Sequence, residues 1–522
     1  MTDSSPRETA PPSAGDMKLF WACFVALVAT SFVFGVRANV IGELATIFEL
    51  SETQKGTILG VGLWPFAISI IIFSLIIDKI GYKVAAIIAI VCHVGSLLLT
   101  MFATGYVTLF WATFLVAIAN GIVEAFINPV VATAFKTEKS KWLNILHAGW
   151  PAGMALGALF TIVLGGASWQ LKYGMCFIPV AIYAVLIIPR KFPVQERVAA
   201  GVTYREMLRQ VGGIGFFIIG SLLVMGVIQL VVASMNLDIH PSKTIVYGVV
   251  AGLVFGIAGW VYTGSPGHWM FLMILLIMGP LATTELGTDS WMPDLLQGVG
   301  LSASGAGWVF IYVSTLMTIL RFYAGPIVHR FSPIGLLVAS AAVAIVGLIF
   351  LSKASIGLIV VAATVYALGK TFLWSTTLGL VSEQFPKGGA LTLNGVSAVG
   401  VLGMGIIGTP FMGVLQDREV DKQLAADMPA IHQQVSAPAR PSIFGDIPSL
   451  DGAAIETLSE ADAATLKSIQ DGKKKGSFAK IAVLPGFMLL VFLILFFFYY
   501  HLLLYSLDLY LKSCIFHHKF LL

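Results

Sequence analysis

The chain has 522 residues, 57% of them apolar and only 11% charged, with a formal net charge of +4 and a mean hydropathy of +0.90. A soluble domain of this size needs a more heavily charged surface. The composition therefore excludes a soluble globular protein and describes a polytopic, all-α membrane protein. Cys23, Cys92, Cys176 and Cys514 show no paired spacing, so neither a disulfide framework nor a metal site is implied.

Met1 to Asp16 is polar and rich in Pro and Ser, and reads as a disordered cytoplasmic tail. The apolar run after it is too long for a signal-peptide core. Six apolar segments follow at 18–43, 56–77, 84–103, 106–135, 143–165 and 172–189. A basic stretch from Arg190 to Arg209 precedes two further segments, 213–235 and 244–263. The last six lie at 269–291, 305–327, 334–352, 356–383, 391–414 and 478–500. By the rule of roughly twenty residues per crossing, this predicts about fourteen transmembrane helices. The organisation expected is an N-terminal six-helix bundle over 17–190 and a linker with two inserted helices over 191–264. A C-terminal bundle over 265–500 follows, with a polar extracytoplasmic loop at 416–477. An atypical apolar tail, 501–522, reads equally as an interfacial helix or as non-native sequence.

Lys79 and Lys83, then Lys136, Lys139 and Lys141, then the Arg190–Arg209 cluster occupy alternate connections. The positive-inside rule makes that side cytoplasmic, with the N-terminus, in the cell (inner) membrane. Lys473, Lys474 and Lys475 disagree, but they close a long segment, and long segments translocate largely regardless of charge. The chain also repeats at an offset of about 250 residues: Leu143-Asn144 recurs as Leu393-Asn394, and Gly153-Met154 as Gly403-Met404.

One stretch stands out, Gly121-Ile-Val-Glu124-Ala-Phe-Ile-Asn128-Pro129. A carboxylate inside a membrane helix survives only beside a cavity or a partner. Asn128, four residues on, shares its face. Pro129 frees the carbonyl of Ala125. Segment one holds Arg37, Asn39 and Glu43, although Glu43 sits deep enough along the helix to reach the outer mouth. Segment nine holds Glu285, Thr288, Asp289 and Trp291. Segment five carries Asn144, His147 and Trp150, with His147 as either a proton relay or a hydrogen-bonded packing residue. Gly149, Gly153 and Gly157 form a strip for close helix packing. Segment twelve carries Lys370, Trp374 and Glu383. Lys370 needs a partner, with Glu285, Asp289 or a substrate group as candidates. Arg321 reads as a structural ion pair with neighbours at its helix end. No Walker A, zinc-ligand or nucleophile-elbow spacing occurs, so no cofactor is implied and the energy source is a gradient.

Ser74-Leu-Ile-Ile-Asp78-Lys79-Ile80-Gly81-Tyr82-Lys83 resembles the major facilitator superfamily signature G-x-x-x-D-R-x-G-R-R/K, with Asp78, Gly81 and Lys83 matching. Within that superfamily the sequence resembles fucose-permease-like sugar–proton symporters. Ala38-Asn39-Val40-Ile41-Gly42-Glu43 is similar to A-N-N-L-N-D. Glu124-Ala-Phe-Ile-Asn128-Pro129 is similar to E-T-A-A-N-P, and Leu143-Asn144-Ile145-Leu146-His147 to L-N-L-A-Q. The resemblance implies two facing six-helix bundles and a cytoplasmic gate at Asp78, Gly81 and Lys83. It also implies proton coupling and sugar binding by Glu43 and Glu124. Glu in place of Asp at 43 and His in place of Gln at 147 point to a different sugar. The central helix pair is foreign to the fucose permease and is expected to face lipid.

The function expected is proton-coupled transport of a small polar solute, a sugar, by a monomer without enzymatic activity or nucleic-acid partners. Asn39, Asn128, Asn144, His147, Trp150, Glu285, Asp289, Trp291, Lys370 and Trp374 are the expected substrate contacts. Two alternatives stay open: an exporter of drugs or organic ions, and a sensor on the same fold.

Overall fold

The computed structural model describes residues 13–50, 52–235, 237 and 239–519. Fourteen helices among them are long and apolar enough to cross a membrane: α1 (Ala14–Ile47), α2 (Thr57–Ile80), α3 (Tyr82–Met101), α4 (Tyr106–Ala134), α5 (Lys139–Leu164), α6 (Trp169–Ile187), α7 (Tyr204–Val232), α8 (Pro241–Thr263), α9 (Trp269–Gly287), α10 (Ser304–Phe322), α11 (Pro333–Lys353), α12 (Ile356–Gln384), α13 (Pro386–Asp427) and α14 (Glu460–His501). The first starts inside the expected N-terminal tail, because Ser13 and Asp16 form a capping box that stabilises its first turn. Residues 1–12 of that tail lie outside the described residues. The apolar tail continues the last helix to Lys519, and 520–522 lie outside the described residues.

α1 packs on α4, α5 and α6, while α4 also packs on α2 and α3. The second set repeats the arrangement. α9 packs on α13 and α14, and α11 and α10 pack on α12. The two sets meet along a seam where α2 and α4 face α13, and α5 faces α10 and α12. This is the all-α architecture of two facing six-helix bundles plus an inserted pair. The 250-residue repeat has a physical meaning here. A methyl at Gly153 would run into α1, 3.0 Å from the Phe32 nitrogen, and one at Gly403 would lie 2.9 Å from Gly279 Cα in α9. Each glycine lets the corresponding helix of its half approach the first helix of that half.

Of the inserted pair, α8 packs chiefly on α7, through Gly248, Gly252 and Gly256. Its outer face carries exposed Val250, Val254 and Val261, as a lipid-facing helix should. α7 departs from that expectation. It lies against α13 and α9, and a methyl at Gly226 would come within 3.2 Å of Leu402.

The segment expected to be a polar loop at 416–477 is instead a small folded cap. α13 runs out of the bundle to Asp427 and α14 begins as early as Glu460. Between them lie a short helix, Pro429–Val435, and an antiparallel pair, β1 (Ser436–Arg440) and β2 (Ile447–Leu450). Leu424, Val435 and Leu466 form its own apolar core with Ile431, Leu450 and Ile455 around them.

Candidate functional site

Glu124 lies mid-way along α4, only 3% exposed. Asn128 Nδ2 donates to its Oε2 at 2.7 Å, as the i, i+4 spacing requires. The Asn128 Oδ1 lies 2.9 Å from His147 Nε2 on α5. These three residues form one bonded set.

Two prolines extend the set across the seam. Pro129 lacks the N–H that would take the Ala125 carbonyl. Asn394 Nδ2, from the other half, donates to that oxygen at 2.9 Å. Pro151 leaves the His147 carbonyl open in the same way, and Arg321 Nη1 on α10 donates to it at 2.8 Å. α5 is broken here, between helical stretches Lys139–His147 and Gly149–Leu164.

Arg321 is 1% exposed and pairs with Glu285 at 2.5 Å. Glu285 sits on a π-turn of α9, Thr283–Gly287. Such turns recur at functional sites because they re-aim side chains. α12 is itself interrupted between Lys370 and Leu373. Arg321 Nε donates to the Thr371 carbonyl at 2.7 Å, at the negative end of the first stretch. The other oxygen of Glu285 accepts the Trp374 N–H at 3.0 Å, at the positive end of the second. The ion pair is thus built into a broken helix whose poles match its charges.

These groups border one central cavity. Phe66, Glu124, His147, Trp150, Glu285, Leu286, Arg321, Trp374 and Val401 line it. Its volume of about 20 Å³ fits on the order of one or two waters. Phe34 packs on Trp150 at 5.5 Å between ring centroids, and Phe66 lies against both, 6.5 Å from Trp150 and 6.4 Å from Phe34.

The remaining expected site residues lie elsewhere. Asn144 joins the seam: its Oδ1 accepts from Ser375 at 2.6 Å, and its Nδ2 bonds Thr376 at 3.2 Å. Its repeat partner Asn394 makes the mirrored contact. Asp289 pairs with Lys370, whose ammonium lies 5.3 Å from the Tyr366 ring. That pair sits one turn beyond Glu285. The side chain of Trp291 lies outside the described residues. Asn39 is exposed and bonds the Gly35 carbonyl of its own helix at 2.8 Å. Glu43 pairs with Lys172 at 2.7 Å, at the end remote from the basic connections. Neither borders the central cavity.

At the basic end, Asp78 pairs with Arg197 of the linker, and Gln195 lies between Asp78 and the Ala390 N–H. Gly81 ends α2 at φ +83°, while Lys83 is exposed. Lys139 bridges Glu196 at 2.6 Å and the Ser382 carbonyl at 3.2 Å; Glu383 accepts from the Ser140 hydroxyl at 2.6 Å. The linker and both halves therefore interlock there.

Arg321 is the central residue that the sequence reading placed wrongly. Its neighbours at the helix end do not hold it; Glu285, on the preceding membrane helix α9, does. The available signal was a lone guanidinium in one apolar segment and two carboxylates, Glu285 and Asp289, in another.

The Major Facilitator Superfamily profile matches residues 22–289, more than half of the chain. The human organic anion transporter MFSD10 (TETRAN) shares the fold at a TM-score of 0.56 and 10% identity, over 92% of this chain and 100% of that one. The E. coli fucose:proton symporter FucP matches at 0.55 and 15% identity, over 91% and 99%. The proton:xylose symporter XylE matches at 0.55 and 14%, over 91% and 95%. No curated protein matches the chain in sequence.

Proposed function

We infer, for a chain that belongs to the major facilitator superfamily, that it carries a small polar solute, a sugar, together with protons by alternating access. Two of the fold neighbours, FucP and XylE, are sugar:proton symporters. The carrying observation is the bonded set Glu124–Asn128–His147 abutting Arg321–Glu285 around one cavity. Glu285 has a cation and a backbone N–H. Glu124 has an amide, and it can exchange a proton without breaking an ion pair. Glu124 is therefore the coupling acid in this reading. Asn128 and His147 offer a donor and an acceptor to solute hydroxyls, and Trp150 and Trp374 offer apolar faces to a sugar ring. The water-sized cavity enlarges as the halves part. Asp78, Gly81 and the linker hold the basic end, which faces the cytoplasm of the cell membrane.

The test uses purified protein in proteoliposomes with labelled hexoses, read by counterflow and by pH-driven uptake. Glu124→Gln is expected to keep counterflow and lose accumulation. Glu43→Gln, remote from the cavity, is expected to uncouple weakly. Accumulation of sugar by Glu124→Gln in response to pH removes Glu124 as the coupling acid.

A further inference from the structure

His147 is bonded at two ends of the site. Its ring meets Asn128 on α4, and its carbonyl meets Arg321 of the opposite half. We propose that His147 is a positioning residue that carries the protonation state of Glu124 to the seam between the halves. The proposal rests on the reading of Glu124 given above.

The hydrogen-bond polarity is fixed by chemistry. An ionised carboxylate only accepts, so Asn128 turns its NH2 to Glu124 and its oxygen to His147. The imidazole then carries its proton on Nε2 and donates. The ring is anchored, and with it the break in α5 that aims the His147 carbonyl at Arg321. A proton arriving on Glu124 Oε2 opposes the Asn128 NH2. The amide turns over and meets the Nε2–H with a second donor, so the ring loses its anchor. The carbonyl has no internal partner to fall back on, because Pro151 occupies the position four residues on. The seam contact with Arg321 weakens, and the basic end opens in the proton-loaded state. No covalent bond changes beyond the proton that Glu124 takes up.

The charged and titratable groups around His147 are Glu124 from α4, Glu285 from α9 and Arg321 from α10. From α1 and α12, the groups turned toward α5 beside His147 are neutral, Ser31, Ser375 and Thr376; the carboxylate of Glu383 on α12 meets α5 at Ser140, about two turns away.

The test follows the distance across the basic end. Glu138 and His329 face each other there from the two halves at 3.0 Å. In the full chain in proteoliposomes, a bimane on Glu138→Cys and a quencher at His329→Trp report closure, and these changes also remove both native titrating groups. Acidification from pH 8 to 5 is expected to shift the closed-to-open ratio about tenfold, the effect of losing one hydrogen bond to a charged group. Glu124→Gln is expected to abolish the response; if the response survives, the reading of Glu124 fails. His147→Leu and Pro151→Ala are each expected to abolish it while Glu124 still titrates. His147→Gln, whose amide can donate from the same place, is expected to retain it. A full response in Pro151→Ala, which alters no titratable group, overturns the proposal and leaves Glu124 in place. That variant decides even if His147→Leu fails to fold.

Discussion

The two halves each bury one carboxylate beside the same cavity, and they treat it differently. Glu285 is surrounded by complementary charge: a guanidinium on one oxygen and a helix N-terminus on the other. Glu124 is bonded to an amide that belongs to its own helix. One acid completes an ion pair in a broken helix. The other is held by a neutral amide. The difference follows from what surrounds each acid, since residue type and burial are the same.

Substitutions that remove one carboxylate at a time sharpen this contrast. Glu285→Gln leaves Arg321 buried without its counter-charge and is expected to cost about 3–5 kcal/mol. Glu124→Gln leaves no buried charge without its partner and is expected to cost about 1 kcal/mol or less. Thermal unfolding of the two purified variants compares them directly, and equal losses would erase the distinction.

The mirrored amides at the seam test whether the halves are equivalent elsewhere. Asn394→Ala strands the Ala125 carbonyl, and Asn144→Ala strands Ser375. Each is expected to lose about 1–3 kcal/mol, measured the same way. A much larger loss in one would show that the repeat is unequal in strength.

A smaller effect belongs to the surface contact at the basic end. The hydrogen bond from Lys141 above all holds the Glu138 carboxyl below its ordinary value; burial opposes it, and His329 adds a lesser lowering. Its contribution is therefore present above the unfolded carboxylate range and disappears as pH falls through the lowered folded value. Solvent screening limits it to about 1 kcal/mol or less. Glu138→Gln should flatten this acid-side slope in unfolding curves recorded between pH 6 and 3.

The smallest change is expected from the inserted helices. Replacing residues 213–264 by a flexible linker should leave solute affinity nearly unchanged, because neither helix borders the cavity. It should lower the unfolding temperature, because α7 covers α13 at Gly226. Binding measured by solute-induced quenching separates the two effects.

The fourteen crossings were legible because length and apolarity alone define them. Glu124 and Asn128 were legible as a pair because they are four residues apart and precede a proline, and these are local signals. Pro129 even announced the free Ala125 carbonyl; only its taker, Asn394, was hidden. Arg321 was hidden for the same reason, since pairing between helices leaves no mark in spacing. Asn39 and Glu43 were drawn into the expected site by motif resemblance, although the length of α1 already placed Glu43 near a mouth. The cap was missed because its few apolar residues, Leu424, Val435 and Leu466, are spread among charges and turns.

That cap has a mechanical consequence. α13 reaches it through the π-turn Met404–Gly408 and α14 leaves it at a break at Ala482, and its helical stretch Glu460–Ile481 packs on α11 and on the stretch Thr288–Gly298 that follows α9, all parts of the second half. It is a handle fixed to that half. Any movement of that half relative to the other carries this folded body with it. An antibody fragment clamped to Ser436–Leu450 would grip the transporter by this handle and slow its cycle from a distance, leaving the cavity untouched.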